Sequence, residues 1–198
     1  MTSYCDRWLG DAAFAPILRE LDRRKAILYV HPTAPCVCAD SLPYLRDSVI
    51  ECGTDTTRAI ASLIFTGASG RYANIRMIFS HAGGTMPFLI ERFFQQKRAQ
   101  DLAPPGKFPL VIAREEFAQL DPLQEVQRFY YDIAQWTHAA PMSALAKVVP
   151  ASQILFGNRS ASEHVEGLTR CGAFLSAELS AIYGENALRL LARYLPPA

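Results

Sequence analysis

The sequence predicts an α/β fold, with about four parallel strands and helices packed outside them. Three observations predict it. Short apolar runs alternate with stretches of helical spacing, each run ends in a residue that stops a strand or carries chemistry, and no hairpin signal joins any two of them. Strands joined through helices run parallel by right-handed crossovers. Four strands form an open sheet or half of a (β/α)₈ barrel.

Taking the elements in order, Asp11 to Arg24 places Phe14, Ile17, Leu18 and Leu21 at helical spacing, with Asp11 as a cap. Ala26-Ile27-Leu28-Tyr29-Val30 reads as a buried strand that stops at His31-Pro32, since proline offers no amide hydrogen to a central ladder. Thr33 to Cys52 has no sustained period, and an irregular segment of that length in a compact domain usually binds or covers something. Gly53-Thr54-Asp55-Thr56-Thr57 offers caps for a helix through Arg58, Ile60, Leu63 and Ile64 that ends near Gly67.

Arg76-Met77-Ile78-Phe79 is the second strand. It delivers His81 to its carboxyl end, after which Gly83 and Gly84 turn the chain into a helix from Pro87 to Arg98. Asp101 to Pro109 is rich in proline and reads as loop, and Ile112 to Val126 as short helical pieces. Phe129-Tyr130-Tyr131-Asp132 is the third strand, Pro141 to Val149 a helix, and Gln153-Ile154-Leu155-Phe156-Gly157 the fourth strand. Ser160 to Cys171, Ser176 to Tyr183 and Glu185 to Tyr194 close the chain as three helices.

Composition narrows the partners. The chain has 198 residues, 50% of them hydrophobic, enough for one core and one domain over 1–198. A formal charge of +1, with both signs mixed along the chain, gives no electrostatic reason to expect nucleic acid or a membrane surface. No run reaches the roughly 18 apolar residues of a membrane span, and the N-terminus lacks a signal-peptide core, so a cytoplasmic protein is expected. Five cysteines without CxxC spacing read as free thiols, and Cys36 and Cys38, the one close pair, could hold a soft metal.

Parallel strands would carry His31, His81, Asp132 and the Asn158-Arg159 pair to one rim, where ligands collect in such folds. Two histidines and an acid are the residue types that bind a divalent metal, or act as a base and the group that orients it. Each has a structural alternative. His31 could cap its strand, Asp132 could cap the next helix, and Trp136, Tyr130 and Tyr131 read as core or pocket wall. His138 and His164 read as surface residues.

Five phrases in order add a resemblance: Leu28-Tyr29-Val30-His31-Pro32-Thr33, Asp55-Thr56-Thr57-Arg58-Ala59-Ile60, Ile78 to Phe88 around His81-Ala82-Gly83-Gly84, Phe129-Tyr130-Tyr131-Asp132 and Val149 to Gly157. Together they resemble the carboxyl-terminal half of the amidohydrolase-related family of aminocarboxymuconate semialdehyde, γ-resorcylate and 6-methylsalicylate decarboxylases. The resemblance implies a partial (β/α)₈ barrel, a divalent metal (zinc or manganese) and loss of carbon dioxide from a small aromatic or unsaturated carboxylic acid. It implies His31 as a metal ligand and His81 as the acid–base residue, while Asp132 and Arg159 are candidates for substrate contact from their place at the rim.

The chain departs from the family pattern in two places. It has no His-x-His pair, and Arg159 stands where the family's last-strand aspartate ligates the metal. An arginine stays charged and repels a cation. The expectations are thus a metal-dependent decarboxylase or related hydrolase, or an inactive half-barrel that associates through its exposed sheet edges and inner face, as a homo-oligomer or with a partner. A third places a substrate carboxylate on Arg159, with His81 as a metal-free base.

Overall fold

The structure, a computed structural model, describes residues 7–32, 42–104, 119–157 and 161–194, with the backbone alone at 161–164. Helix α1 (Ala15–Arg23) follows a 3₁₀ turn at Ala12–Phe14, and strand β1 is Ile27–Val30. Helices α2 (Glu51–Phe65) and α3 (Ala68–Arg71) lead to β2 (Arg76–Phe79), and α4 is Met86–Leu102. Then come α5 (Pro122–Arg128), β3 (Tyr130–Asp132), α6 (Ala139–Val148) and β4 (Ile154–Leu155). The chain closes with α7 (Ala161–Arg170), α8 (Ser176–Ser180) and α9 (Asn186–Leu191).

The four strands form one parallel sheet in the order β1-β2-β3-β4, with Tyr29 opposite Ile78 and Ile78 opposite Tyr130. Each strand follows its predecessor in sequence and in space, as in one segment of a (β/α)₈ barrel. All four carboxyl ends therefore share one rim.

Alternation along each strand divides the apolar residues between two faces. Leu28, Val30, Met77, Phe79, Tyr131 and Ile154 point into the main core, where they meet Ile60, Leu63 and Ile64 of α2 and Met142 and Leu145 of α6. Burial of a side chain of this size contributes about 1.5–3 kcal/mol, so this layer between sheet and helices holds the fold. Tyr131 is fully buried, with its hydroxyl donating to the Val126 carbonyl at 2.7 Å.

The opposite, inner face carries Ile78 and Leu155 with Ile27 and Tyr130, and α9 lies on it through Leu190 and Ala187. Arg76 Nη1 donates to the Leu190 carbonyl at 3.1 Å and fixes that contact. Hence Ile78 and Leu155 of the inner face are covered by α9 rather than left open.

Several elements differ from the sequence expectation. Gly53, Asp55, Thr56 and Thr57 are buried inside α2 and do not cap it, because their polar groups find partners there. The hydroxyls of Thr56 and Thr57 donate one turn back to Cys52 O (2.9 Å) and Gly53 O (3.0 Å), while Asp55 accepts from Trp8 Nε1 at 2.6 Å. Ile17 is exposed, and Leu18 alone of α1 is buried. Asp101 belongs to α4, where it holds Lys97 Nζ one turn away at 2.7 Å. The segment from Ser176 to Tyr194 is continuous, carried past Gly184 by a π-helical turn at Ala181–Glu185. The pieces expected at 112–118 lie outside the described residues.

Asp11 does cap the first turn, accepting from Ala13 N at 2.8 Å. Asp11→Ala should cost about 1 kcal/mol of stability, read as a lower urea midpoint at unchanged slope. An unshifted midpoint would show that the cap contributes nothing. No described helix is long and apolar enough to cross a membrane.

Candidate functional site at the strand ends

The rim above β1, β2 and β3 opens into a cavity of about 720 Å³ lined by Tyr29, His31, Arg46, His81, Asp132 and Trp136, among others. The fold places them in a simple way. His31 follows β1, His81 follows β2 and Asp132 ends β3, so the strand order sets His81 between the other two.

The His31 and His81 rings lie 5.2 Å apart, centroid to centroid, and His81 lies 6.4 Å from Trp136. His31 Nδ1 is 3.1 Å from the Pro32 carbonyl oxygen. That oxygen can only accept, so the contact requires the proton on Nδ1 and leaves the Nε2 lone pair for a metal or a proton.

His81 sits in an unusual backbone. It has φ 54°, and Ala82, Gly83 and Gly84 follow at φ 53°, 76° and 66°. A left-handed non-glycine residue costs about 1–2 kcal/mol, so two in succession persist only where the surroundings impose them. Here α2 imposes them. Thr57 Oγ1 accepts from Thr85 N at 2.9 Å, and a Cβ on Gly84 would run into the Gly53 carbonyl. Buried Thr57 therefore clamps the turn that presents His81, and the glycines allow helix and turn to touch.

Asp132 is equally constrained. Tyr29 donates its hydroxyl to Oδ2 at 2.7 Å, across the intervening strand, and Ala134 N donates to Oδ1 at 2.7 Å. Gly157 closes the far side, where a Cβ would collide with the carboxylate. Burial first, and then the Asp132 hydrogen bond and charge, push the Tyr29 phenol well above its ordinary value, so it remains a proton donor. The Asp132 side chain thus stabilises the turn after β3, while His138 Nδ1 caps α6, accepting from Ala140 N at 3.3 Å.

The described residues bring together His31, His81 and Asp132 as the sequence suggests. Arg159, Cys36 and Cys38 lie outside the described residues. Sequence reasoning missed Tyr29 and Arg46. Tyr29 carries a usable signal, since it stands two residues before His31 and period-two alternation puts both on one face. Arg46 carries none, because its segment has no regular period. Cys52 and Cys171 are free thiols, as expected.

Cys52 also lines the cavity, but burial raises its thiol pKa, and Asp55, Asp47 and Glu51 raise it further. It should be alkylated by iodoacetamide more slowly than free cysteine near neutral pH and gain rate as pH rises, followed by peptide mass mapping. A rate at or above that of free cysteine at neutral pH would contradict this.

Comparison with known proteins matches residues 5–193 to the amidohydrolase family model. The chain belongs to the amidohydrolase family. Its similarity to the 6-methylsalicylic acid decarboxylase of Aspergillus aculeatus is 33% identity over 196 residues, covering 94% of this chain and 56% of that enzyme. The chain therefore spans about half the length of the curated relatives it matches.

Among amidohydrolase-family structures, the 5-carboxyvanillate decarboxylase of Sphingomonas paucimobilis aligns with a TM-score of 0.76 at 18% identity, over 96% of this chain and 56% of that one. The dihydroxybenzoic acid decarboxylase of Polaromonas, solved with manganese and 2-nitroresorcinol, aligns with a TM-score of 0.75 at 17% identity, over 96% of this chain and 56% of that one. These likenesses identify the fold as part of the family barrel. No group of three or more His, Cys, Asp or Glu side chains able to hold a metal occurs among the described residues. They do not by themselves make a divalent-metal site.

Proposed function

We propose that this chain forms the carboxyl-terminal part of an aromatic-acid decarboxylase site, with His81 as the proton donor. The observation that carries the reading is the His31–His81 pair, 5.2 Å apart in a cavity walled by Trp136. An imidazole titrates near neutral pH and can hold and release one proton per cycle. Trp136 offers a flat apolar wall for a ring, and the cavity is of a size that takes a small ligand.

In the reaction, His81 gives its proton to the ring carbon that bears the carboxylate. The carbon–carbon bond then breaks, its electron pair returns to the ring, and carbon dioxide leaves. His81 recovers a proton from solvent. The acidity of the imidazolium and its placement over the ring set the rate of the first step. A divalent ion, such as the manganese of the Polaromonas enzyme, would take His31 Nε2 as one ligand and needs donors that the described residues do not supply. When bound, it would supply positive charge to hold the acid.

The test is product formation from 6-methylsalicylate and 2,6-dihydroxybenzoate, followed by chromatography, with manganese or zinc added and with metal removed by a chelator. Conversion of either acid is expected. No conversion under any metal condition overturns the reading for this chain.

A further inference from the structure

The cavity contains a fixed positive charge that the proton-transfer scheme leaves unused. Arg46 lines it from the connection between β1 and α2, ahead of the 3₁₀ turn at Asp47–Val49. Its carbonyl accepts from Val49 N at 2.9 Å, but its guanidinium makes no hydrogen bond or ion pair with any described residue, whereas the neighbouring acid Glu51 is held by Arg58 at 3.5 Å. Among the described lining residues, Arg46 is the one side chain with a permanent positive charge, and Asp132 is the one carboxylate.

Both charges line the same cavity as His81. Arg46 belongs to the connection that follows β1, and Asp132 ends β3. Asp132 has a hydrogen-bond donor on each oxygen already and is backed by Gly157, so it keeps its place and repels a second carboxylate. An anionic ligand in this cavity is therefore attracted by Arg46 and repelled by Asp132. A guanidinium meets a carboxylate with two parallel N–H donors, which fixes the plane of the acid group as well as its position.

We propose that Arg46 is the carboxylate anchor of this cavity, a specificity-determining residue that admits aromatic acids and discriminates against their neutral analogues. The inference rests on the decarboxylase reading for its ligand class. It also gives that reading a release step. Once carbon dioxide has left, the neutral aromatic product has no charge for Arg46 to hold and should bind more weakly than the acid.

The test is equilibrium binding, by calorimetry on the full chain, of salicylate and of salicylamide, its neutral isostere. The wild type should bind salicylate the more tightly, and raised ionic strength should weaken salicylate alone. Arg46→Gln should weaken salicylate roughly 10- to 100-fold and leave salicylamide within about twofold. Arg46→Lys, which keeps the charge without the fork, should fall between.

Circular dichroism and thermal melting check that each variant folds. Equal salicylate affinity in folded Arg46→Gln, equal loss of both ligands, or no salicylate binding by the wild type each overturns the proposal. Charge discrimination without decarboxylation would sink the decarboxylase reading and leave the anchor standing. Turnover that Arg46→Gln leaves unchanged would do the reverse.

Discussion

His81→Asn is expected to lower turnover of an accepted aromatic acid by roughly 10²- to 10⁴-fold, the usual contribution of a positioned acid–base group. The fold should survive it. Asparagine tolerates the left-handed backbone that His81 adopts at φ 54°, so the variant should melt within a few degrees of the wild type. Substrate binding should persist, because the amide fills part of the space of the ring.

His81→Gly separates the two roles of this position. Removing a left-handed Cβ relieves strain of about 1 kcal/mol, which offsets at least part of the lost contacts to His31 and Trp136. Glycine should therefore melt at or above the asparagine variant, with no turnover. Turnover of His81→Asn equal to the wild type, measured as product formed per enzyme, would remove His81 from the mechanism.

Gly84→Ala is the structural counterpart, with an expected loss of about 3 kcal/mol or more. Two effects add there. The backbone lies at φ 66° and ψ −130°, a region that only glycine occupies without strain, and a Cβ would run into the Gly53 carbonyl of α2. Neither side can yield easily, because both are backbone and Thr57 ties them together.

Gly70→Ala provides the comparison, since a Cβ there meets nothing within 4 Å. It should change stability by less than about 1 kcal/mol. Urea midpoints at constant slope would read both variants. A Gly84→Ala protein as stable as Gly70→Ala would show that the turn before α4 is not held as described.

Much of the fold is legible in the residue pattern, because β1, β2 and β3 are apolar runs that end at residues unsuited to a ladder. Pro32 lacks the amide hydrogen, and the His81-to-Gly84 turn leaves extended backbone altogether. The helices between these strands show their apolar spacing, and alternation requires a parallel sheet. The pattern and the structure part where tertiary partners override local preference. Thr56, Thr57 and Asp55 have the composition of a cap, yet they sit inside α2 because Cys52 O, Gly53 O and Trp8 Nε1 satisfy them there. Trp8 and Asp55 are 47 positions apart, so no local window could connect them.

The same division runs through the site. That two histidines and an acid stand at strand ends follows from the residue pattern alone, since strand length and composition decide where a strand stops. The family is legible there as well, in phrases matched in order along the chain. Which side chains come together depends on packing, because those contacts join residues far apart in sequence. Tyr29 reaches Asp132 across β2, Thr57 of α2 holds the turn that carries His81, and Arg46 enters the cavity from an irregular connection. The strained backbone at His81 arises the same way, from the packing of α2 against the glycine turn.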